Sequence, residues 1–196
     1  MRDHDGINWK AYGHVAKYTP ETVRELTDFL GYEPMAADYA RLSIKPDDEA
    51  EAFGNLLCIN GLANLTNLAI GGGGQTLIST RSGVGVGATA TAATAADTHL
   101  GADGGSAYYQ AFDSNPTRVT TSQTNDTIQG VCTFASANGN FAWAEWGWFF
   151  TTAAITPGAT LSGVGTGAAL INHKIASLGT KASGASWVFT TTVQLS

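Results

Sequence analysis

The sequence predicts an α+β protein that is mainly β: an antiparallel β-sandwich with one helix, preceded by a small helical N-terminal arm. Three observations carry this reading. From Arg81 onward, stretches rich in Val, Ile, Thr and aromatic residues recur between clusters of Gly, Asn, Asp and Pro, the pattern of short antiparallel strands joined by turns. One uncharged segment, 56–70, sets Leu62, Leu65, Leu68 and Ala69 at helical spacing. Charge is also divided: the first 55 residues hold eleven acids and six bases, the remaining 141 only five and four. The boundary is placed there, with 1–54 as an acidic helical segment that contacts partners and 55–196 as the β-sandwich domain.

Residues 1–18 read as an extended arm whose apolar points, Trp9, Tyr12, Val15 and Tyr18, are three apart. Thr19, Pro20 and Glu21 form a helix start: a capping hydroxyl, a proline at the first position and an acid on the positive end of the dipole. Val23, Leu26, Phe29 and Leu30 then share a face, and Gly31 is a natural stop. Met35, Tyr39 and Leu42 give a second short helical stripe, followed by a solvated connector at Asp47, Asp48 and Glu49. The helix over 56–70 takes Asn60 as its cap and ends at the glycines 71–74. Strands are expected at 81–86, 107–113, 127–135, 142–150, 168–177 and 187–195, with turns at Asn138-Gly139 and Pro157-Gly158 and a loop over 89–97.

Composition removes several function classes. A net charge of -6 argues against nucleic-acid binding, which needs a basic face. No 18-residue apolar stretch is present to span a membrane as a helix, and the first residues carry no apolar core of a signal peptide. Cys58 and Cys132 lie among apolar residues and read as small buried hydrophobes, not a disulfide framework. A soluble surface usually carries about a quarter of its residues as charge. One built from Thr, Ser, Gly and Ala suits a protein packed against copies of itself or against partners.

The motifs that could carry catalysis are incomplete. Gly83, Gly85 and Gly87 resemble half of a dinucleotide fingerprint, but the segment is itself strand-like and leads into a loop. The glycines 71–74 have no following Lys and Ser/Thr. His4, His14, His99 and His173 have no partner at metal-ligand spacing on one element, and no Gly-x-Ser-x-Gly elbow occurs. No catalytic, cofactor-binding or metal-binding residue is therefore assigned, and no cofactor is expected. One acid stands out. Simple alternation sets Phe141, Trp143, Glu145, Gly147 and Phe149 on one strand face, and Trp146, Trp148 and Phe150 on the other. Glu145 reads as a buried structural acid, paired with Arg81, Arg118 or Lys174 or bonded to backbone N–H groups. The alternatives are a catalytic acid, or a strand whose tryptophans stack on carbohydrate.

Several segments in order carry a resemblance. They are Asn55-Leu56-Leu57, the helix ending at Ile70 and the glycines 71–74, Val84-Gly85-Val86-Gly87, and the run from Asn140 to Gly147. Leu170 to Lys174, Leu178 to Lys181 and a Thr-rich terminal strand follow. This order resembles structural proteins of tailed bacteriophages and, more distantly, the attachment domains of phage tail-collar fibres. Trp143, Glu145, Gly147 and Phe149 approximate the aromatic-x-x-Glu-x-Gly pattern of those domains, with different spacing. The resemblance covers about 55–196, and no repetitive shaft follows the last strand. It implies a virion component assembled in the host cytoplasm: a head decoration, a neck or collar component, or a tail adaptor. The implied partners are copies of itself and other virion proteins, with no nucleic acid and no membrane. In that reading Trp9, Tyr12 and Tyr18 anchor the arm on a neighbour, and removing 1–18 leaves a folded domain that no longer incorporates. The alternative is a sandwich that binds a glycan or host receptor through Trp146 and Trp148.

Overall fold

Ten residues at each end of the chain establish the first sheet. β1 (Trp9–Tyr18) pairs along its whole length with β11 (Ser186–Leu195), Trp9 lying opposite Leu195 and Tyr18 opposite Ser186. In this computed structural model, which describes residues 9–54, 56–119, 126–164 and 167–195, β2 (Asp48–Phe53) pairs on the other side of β1. β7 (Asp126–Phe134) follows beyond β11, and β6 (Thr117–Arg118) forms the far edge. The sheet order is β2-β1-β11-β7-β6, all antiparallel.

The expected arm is thus, from Trp9 to Tyr18, a strand with a neighbour on each side; 1–8 lie outside the described residues. The relevant period is two, not three. Ala11, Gly13 and Val15 are buried on the inner face, while Tyr12, His14, Ala16 and Tyr18 alternate with them. The boundary at 54 likewise separates no bodies, because β1 and β2 belong to the same sheet as β7 and β11.

The second sheet runs β3-β10-β8-β4-β5: β3 (Leu56–Leu57), β10 (Asn172–Thr180), β8 (Ala142–Phe150), β4 (Ser82–Gly87) and β5 (Ala107–Ala111). β9 (Ala169–Leu170) pairs with the end of β8. Every strand expected from the sequence is present, although 168–177 is divided at Ile171 into β9 and β10. β1, β2, β3 and β6 were not anticipated as strands.

The two sheets enclose an aromatic core. Trp143, Trp146 and Trp148 of β8 pack with Phe134, Trp187 and Phe189 of the facing sheet. The Trp143 ring lies 4.7 Å from both Phe134 and Trp187, and Trp146 lies 5.1 Å from Phe189. Each such ring contributes on the order of 3 kcal/mol by leaving water. Trp143 therefore joins the Trp146 side of the strand instead of the Glu145 side. Strict alternation fails between Trp143 and Glu145, the stretch opposite which β10 carries two extra residues between Ile175 and Gly179.

Helices α1 (Pro20–Leu30) and α2 (Ala36–Arg41) cover one end of the outer face of the first sheet. Thr19 Oγ1 accepts the Thr22 N–H at 3.3 Å, and Gly31 closes α1 in the left-handed conformation. Val23, Leu26 and Tyr39 pack on Tyr18 and Val188. The Tyr18 ring stacks on Tyr39 at 3.6 Å, so Tyr18 is an internal contact and not an anchor for a neighbour. Trp9 is half-buried against the inter-sheet core. Tyr12 lies near the edge strand, donating its hydroxyl to Glu51 Oε1 at 2.6 Å; partial burial and that carboxylate push its phenol up to about 12.

α3 (Ile59–Ala69) docks by its small and polar face, not by its leucines. Gly61 and Asn64 are its buried residues, while Leu62 is 51 % and Ile70, just past the helix, 74 % exposed. A Cβ at Gly61 would collide with the Ile171 backbone, so the helix docks by its own backbone on β9 and the adjoining residue. The leucine stripe is thereby turned toward water. Cys58, not Asn60, occupies the N-cap, with no side-chain bond there.

Because β1 lies between β2 and β11, its removal leaves both with unpaired backbone and opens the core. Deletion of 1–18 is expected to abolish cooperative thermal unfolding, monitored by near-UV circular dichroism. A cooperative transition retained by the truncated chain would contradict the strand assignment.

Candidate functional site

The densest polar cluster is buried on the outer face of the second sheet. β8 places Glu145 there and β10 places His173 beside it, while the 88–106 segment between β4 and β5 crosses above both. Glu145 is fully buried. Its Oε2 accepts the Gly101 N–H at 2.9 Å, and its Oε1 accepts the Ala102 N–H at 2.8 Å. His173 Nε2 lies 2.7 Å from Glu145 Oε2, and Nδ1 lies 2.6 Å from Asp97 Oδ2. Asp97 is fixed in turn by the backbone N–H of Thr94 at 2.8 Å and its hydroxyl at 2.6 Å. Three groups far apart in sequence thus fasten the 88–106 segment to the sheet.

An imidazole with a carboxylate at each nitrogen satisfies both only as the doubly protonated cation. Burial pulls the His173 pKa down, but hydrogen bonds and charge from Glu145 and Asp97 outweigh it and hold the pKa above its ordinary value. Asp97 is held below the usual carboxylate range: its partial burial acts upward, and the Thr94 and His173 hydrogen bonds overcome it. The cluster is built to retain a proton. With both nitrogens engaged, neither is placed to accept one from a substrate hydroxyl. Cys58 supplies no nucleophile either, since burial first and Asp97 second push its thiol up to about 12. Among the described residues, no group of three or more His, Cys, Asp and Glu is arranged to hold a metal ion.

Other acids of 56–196 also bind backbone. Asp103 accepts the Leu161 and Ser162 N–H groups, and Asp113 accepts the N–H and hydroxyl of Thr133. Lys181, the one buried lysine among the described residues, donates to the Ala135 carbonyl and Asn140 Oδ1, both at 2.8 Å; burial pulls its pKa down to about 8. These charges tie loops together and contribute little to the exterior.

The remaining residues singled out from the sequence do not converge on this cluster. Trp146 and Trp148 are buried between the sheets, so neither can stack on a ligand. Their burial corrects the carbohydrate-stacking expectation, and the cause is that both β8 faces are covered. Arg81, Arg118 and Lys174 are not the partners of Glu145; its ring partner is His173. Sequence reasoning missed His173 and Asp97. The available signal was scarcity: in a stretch nearly devoid of charge, a lone Asp three residues after Thr94 is worth explaining.

Two cavities border this region. A small one of about 220 Å³ lies beside His173 and Asp97. A larger cleft of about 660 Å³ separates α3 from Leu161, Ser162 and Gly167 to Ala169. No family model, curated protein or solved structure matches the chain.

The protonation logic gives a pH dependence. His173 contributes its full stabilisation below its unfolded value of 6.5 and loses it as pH rises through its higher folded value. Asp97 contributes above its unfolded value of 3.8 and loses that as pH falls through its lower folded value. Stability from this pair is therefore greatest between these limits. Removing one partner of a buried pair costs about 3–5 kcal/mol, so His173→Gln is expected to lower the melting temperature near pH 5.5 and flatten the alkaline decline. An alkaline limb identical to that of the unaltered protein would remove His173 from the account.

Proposed function

We propose that this protein is a non-enzymatic structural component of a tailed-phage particle, a capsid decoration or a neck- or tail-associated protein, working by repeated contacts with copies of itself. The observation that carries the reading is the exposed apolar face of α3 on a segment without charge. Ile59, Leu62 and Ile70 are all exposed, and no Asp, Glu, Lys or Arg occurs from Gly54 to Thr80. Clustered exposed apolar side chains mark interaction surfaces.

A second apolar patch supports the same reading and specifies the geometry. Phe29, Tyr32 and Met35 are exposed where α1 passes into α2. Glu25, Asp28 and Glu33 accompany them in sequence, so pairing this patch with itself opposes like charges. Pairing it with the uncharged α3 of the next copy does not. Such a head-to-tail contact is heterologous and generates rings or filaments, the architecture of repeated particle components. α3 is only about 16 Å long. A stable interface needs about 800 Å² from each partner, so the neighbouring uncharged surface of 70–80 has to take part. This replaces the arm as the assembly device, since Trp9 to Tyr18 is held within the sheet.

The test is complementation. The unaltered protein is expected to sediment as a ring or a longer series. Leu62→Glu and Phe29→Glu are each expected to be monomeric with nearly unchanged melting temperatures, since both sites are exposed. Mixed together, they should form a one-to-one dimer that grows no further, because each retains the patch that the other lacks. A monomeric unaltered protein, or a mixture that stays monomeric, would overturn the head-to-tail reading. Labelled protein binding to phage particles that lack this component then tests the particle assignment.

A further inference from the structure

We propose that the cleft between α3 and the wall formed by Leu161, Ser162 and Gly167 to Ala169 is a binding site for a neutral, hydroxyl-rich ligand, a saccharide. The inference does not depend on the assembly reading. It rests on the division of labour among the asparagines of α3 and on the charge of the walls. Asn60, Asn64 and Asn67 recur at i, i+4 and i+7, so they share one face of the helix, and all three line the cleft with Ala63 between them. This stripe is distinct from the apolar one that carries Leu62.

The three amides are not equivalent. Asn64 is buried and fully engaged, donating to the Gln75 carbonyl at 3.0 Å and accepting the Gln75 N–H at 2.5 Å. It holds the 71–75 turn as one rim of the cleft. Asn60 and Asn67 are exposed, and among the described residues neither side-chain amide has a hydrogen-bond partner. Each presents an N–H₂ donor and a carbonyl acceptor to the same space.

The opposite side adds Thr98, His99 and Ser162, with Phe150 and Leu161 as apolar lining. His99 Nδ1 lies 3.0 Å from the Leu100 carbonyl and donates to it, which leaves Nε2 as an acceptor for a hydroxyl. Among the described residues, no Asp, Glu, Lys or Arg lines the cleft. A charged ligand would lose its water there with no opposite charge to replace it. A ligand with many neutral hydroxyls, each able to donate and accept, matches free amides, hydroxyls and an imidazole acceptor. The volume of about 660 Å³ lies within the roughly 300–1,000 Å³ of small-molecule sites.

The experiment is a titration of the full chain, followed through asparagine side-chain amide resonances, with lactose, maltose, cellobiose and di-N-acetylchitobiose as probes. At least one probe is expected to shift the Asn60 and Asn67 amides saturably. Asn60→Ala combined with Asn67→Ala should weaken that binding about tenfold, the loss of two ordinary hydrogen bonds, at an unchanged melting temperature. The Asn64 amide, engaged with Gln75, is left intact as an internal reference. No saturable shift with any of the four probes would overturn the proposal. Binding unaffected by the double substitution would overturn it as well, as would amide shifts that follow protein concentration instead of sugar.

Discussion

Everything else in this fold hangs on the pairing of the first described strand with the last. β1 contributes little side-chain bulk to the interior, only Ala11, Gly13 and Val15 along its middle. That economy has a purpose. A Cβ on Gly13 would stand 2.8 Å from the Phe189 ring and 3.1 Å from Trp146, closer than atoms pack. Small residues on β1 thus admit the large rings of β8 and β11, and packing density is kept by matching small against large. Without β1, β11 loses a neighbour along its whole length and the rings lose one wall. α1 and α2 lose the Tyr18 surface on which Tyr39 stacks.

The scarcity of charge acquires a physical meaning from the hydrogen bonds. The described acidic side chains of 56–196 all face inward to backbone: Asp97 to Thr94, Asp103 to Leu161 and Ser162, Asp113 to Thr133, and Glu145 to Gly101 and Ala102. A carboxylate that accepts two N–H groups replaces a piece of regular secondary structure, which is what long irregular connections such as 88–106 lack. The consequence is that 56–196 presents fewer acidic groups to water than its composition implies. A surface so poor in charge leaves polar contacts to amides and hydroxyls.

How legible this was depended on the range of the determining interaction. α1 was readable because its cap, its acidic first turn and its glycine stop are all local: Thr19, Glu21 and Gly31. β8 and β11 were readable because aromatic and β-branched residues are continuous through them. β2 was not, since Asp47, Asp48 and Glu49 look like a solvated connector; the acids of β2 are tolerated because it is an edge strand on which Asp48, Glu49 and Glu51 meet Lys17, His14 and Tyr12 of β1. The α3 stripe was legible, but not that it faces water, because hydrophobic periodicity identifies a face and not what covers it. Asp97, Glu145 and His173 meet only through the fold, 28 and 76 residues separating His173 from its two partners. No local pattern contains that contact.

The antiparallel embrace of β1 and β11 also orders events in time. A chain made from its N-terminus cannot complete the five-stranded sheet until β11 has been synthesised, because β1 pairs with β11 and β2 alone. Until then Trp143 and Trp146 lack their facing rings on β11, and β8 can offer only half a core. Contacts of such long sequence separation make folding slow and leave apolar strands exposed meanwhile. The exposed apolar side chains of α3, Ile59 and Leu62, lie on a local element that forms early. The chain therefore has to complete its interior while apolar groups already face water, and a low local concentration of nascent copies favours the correct outcome.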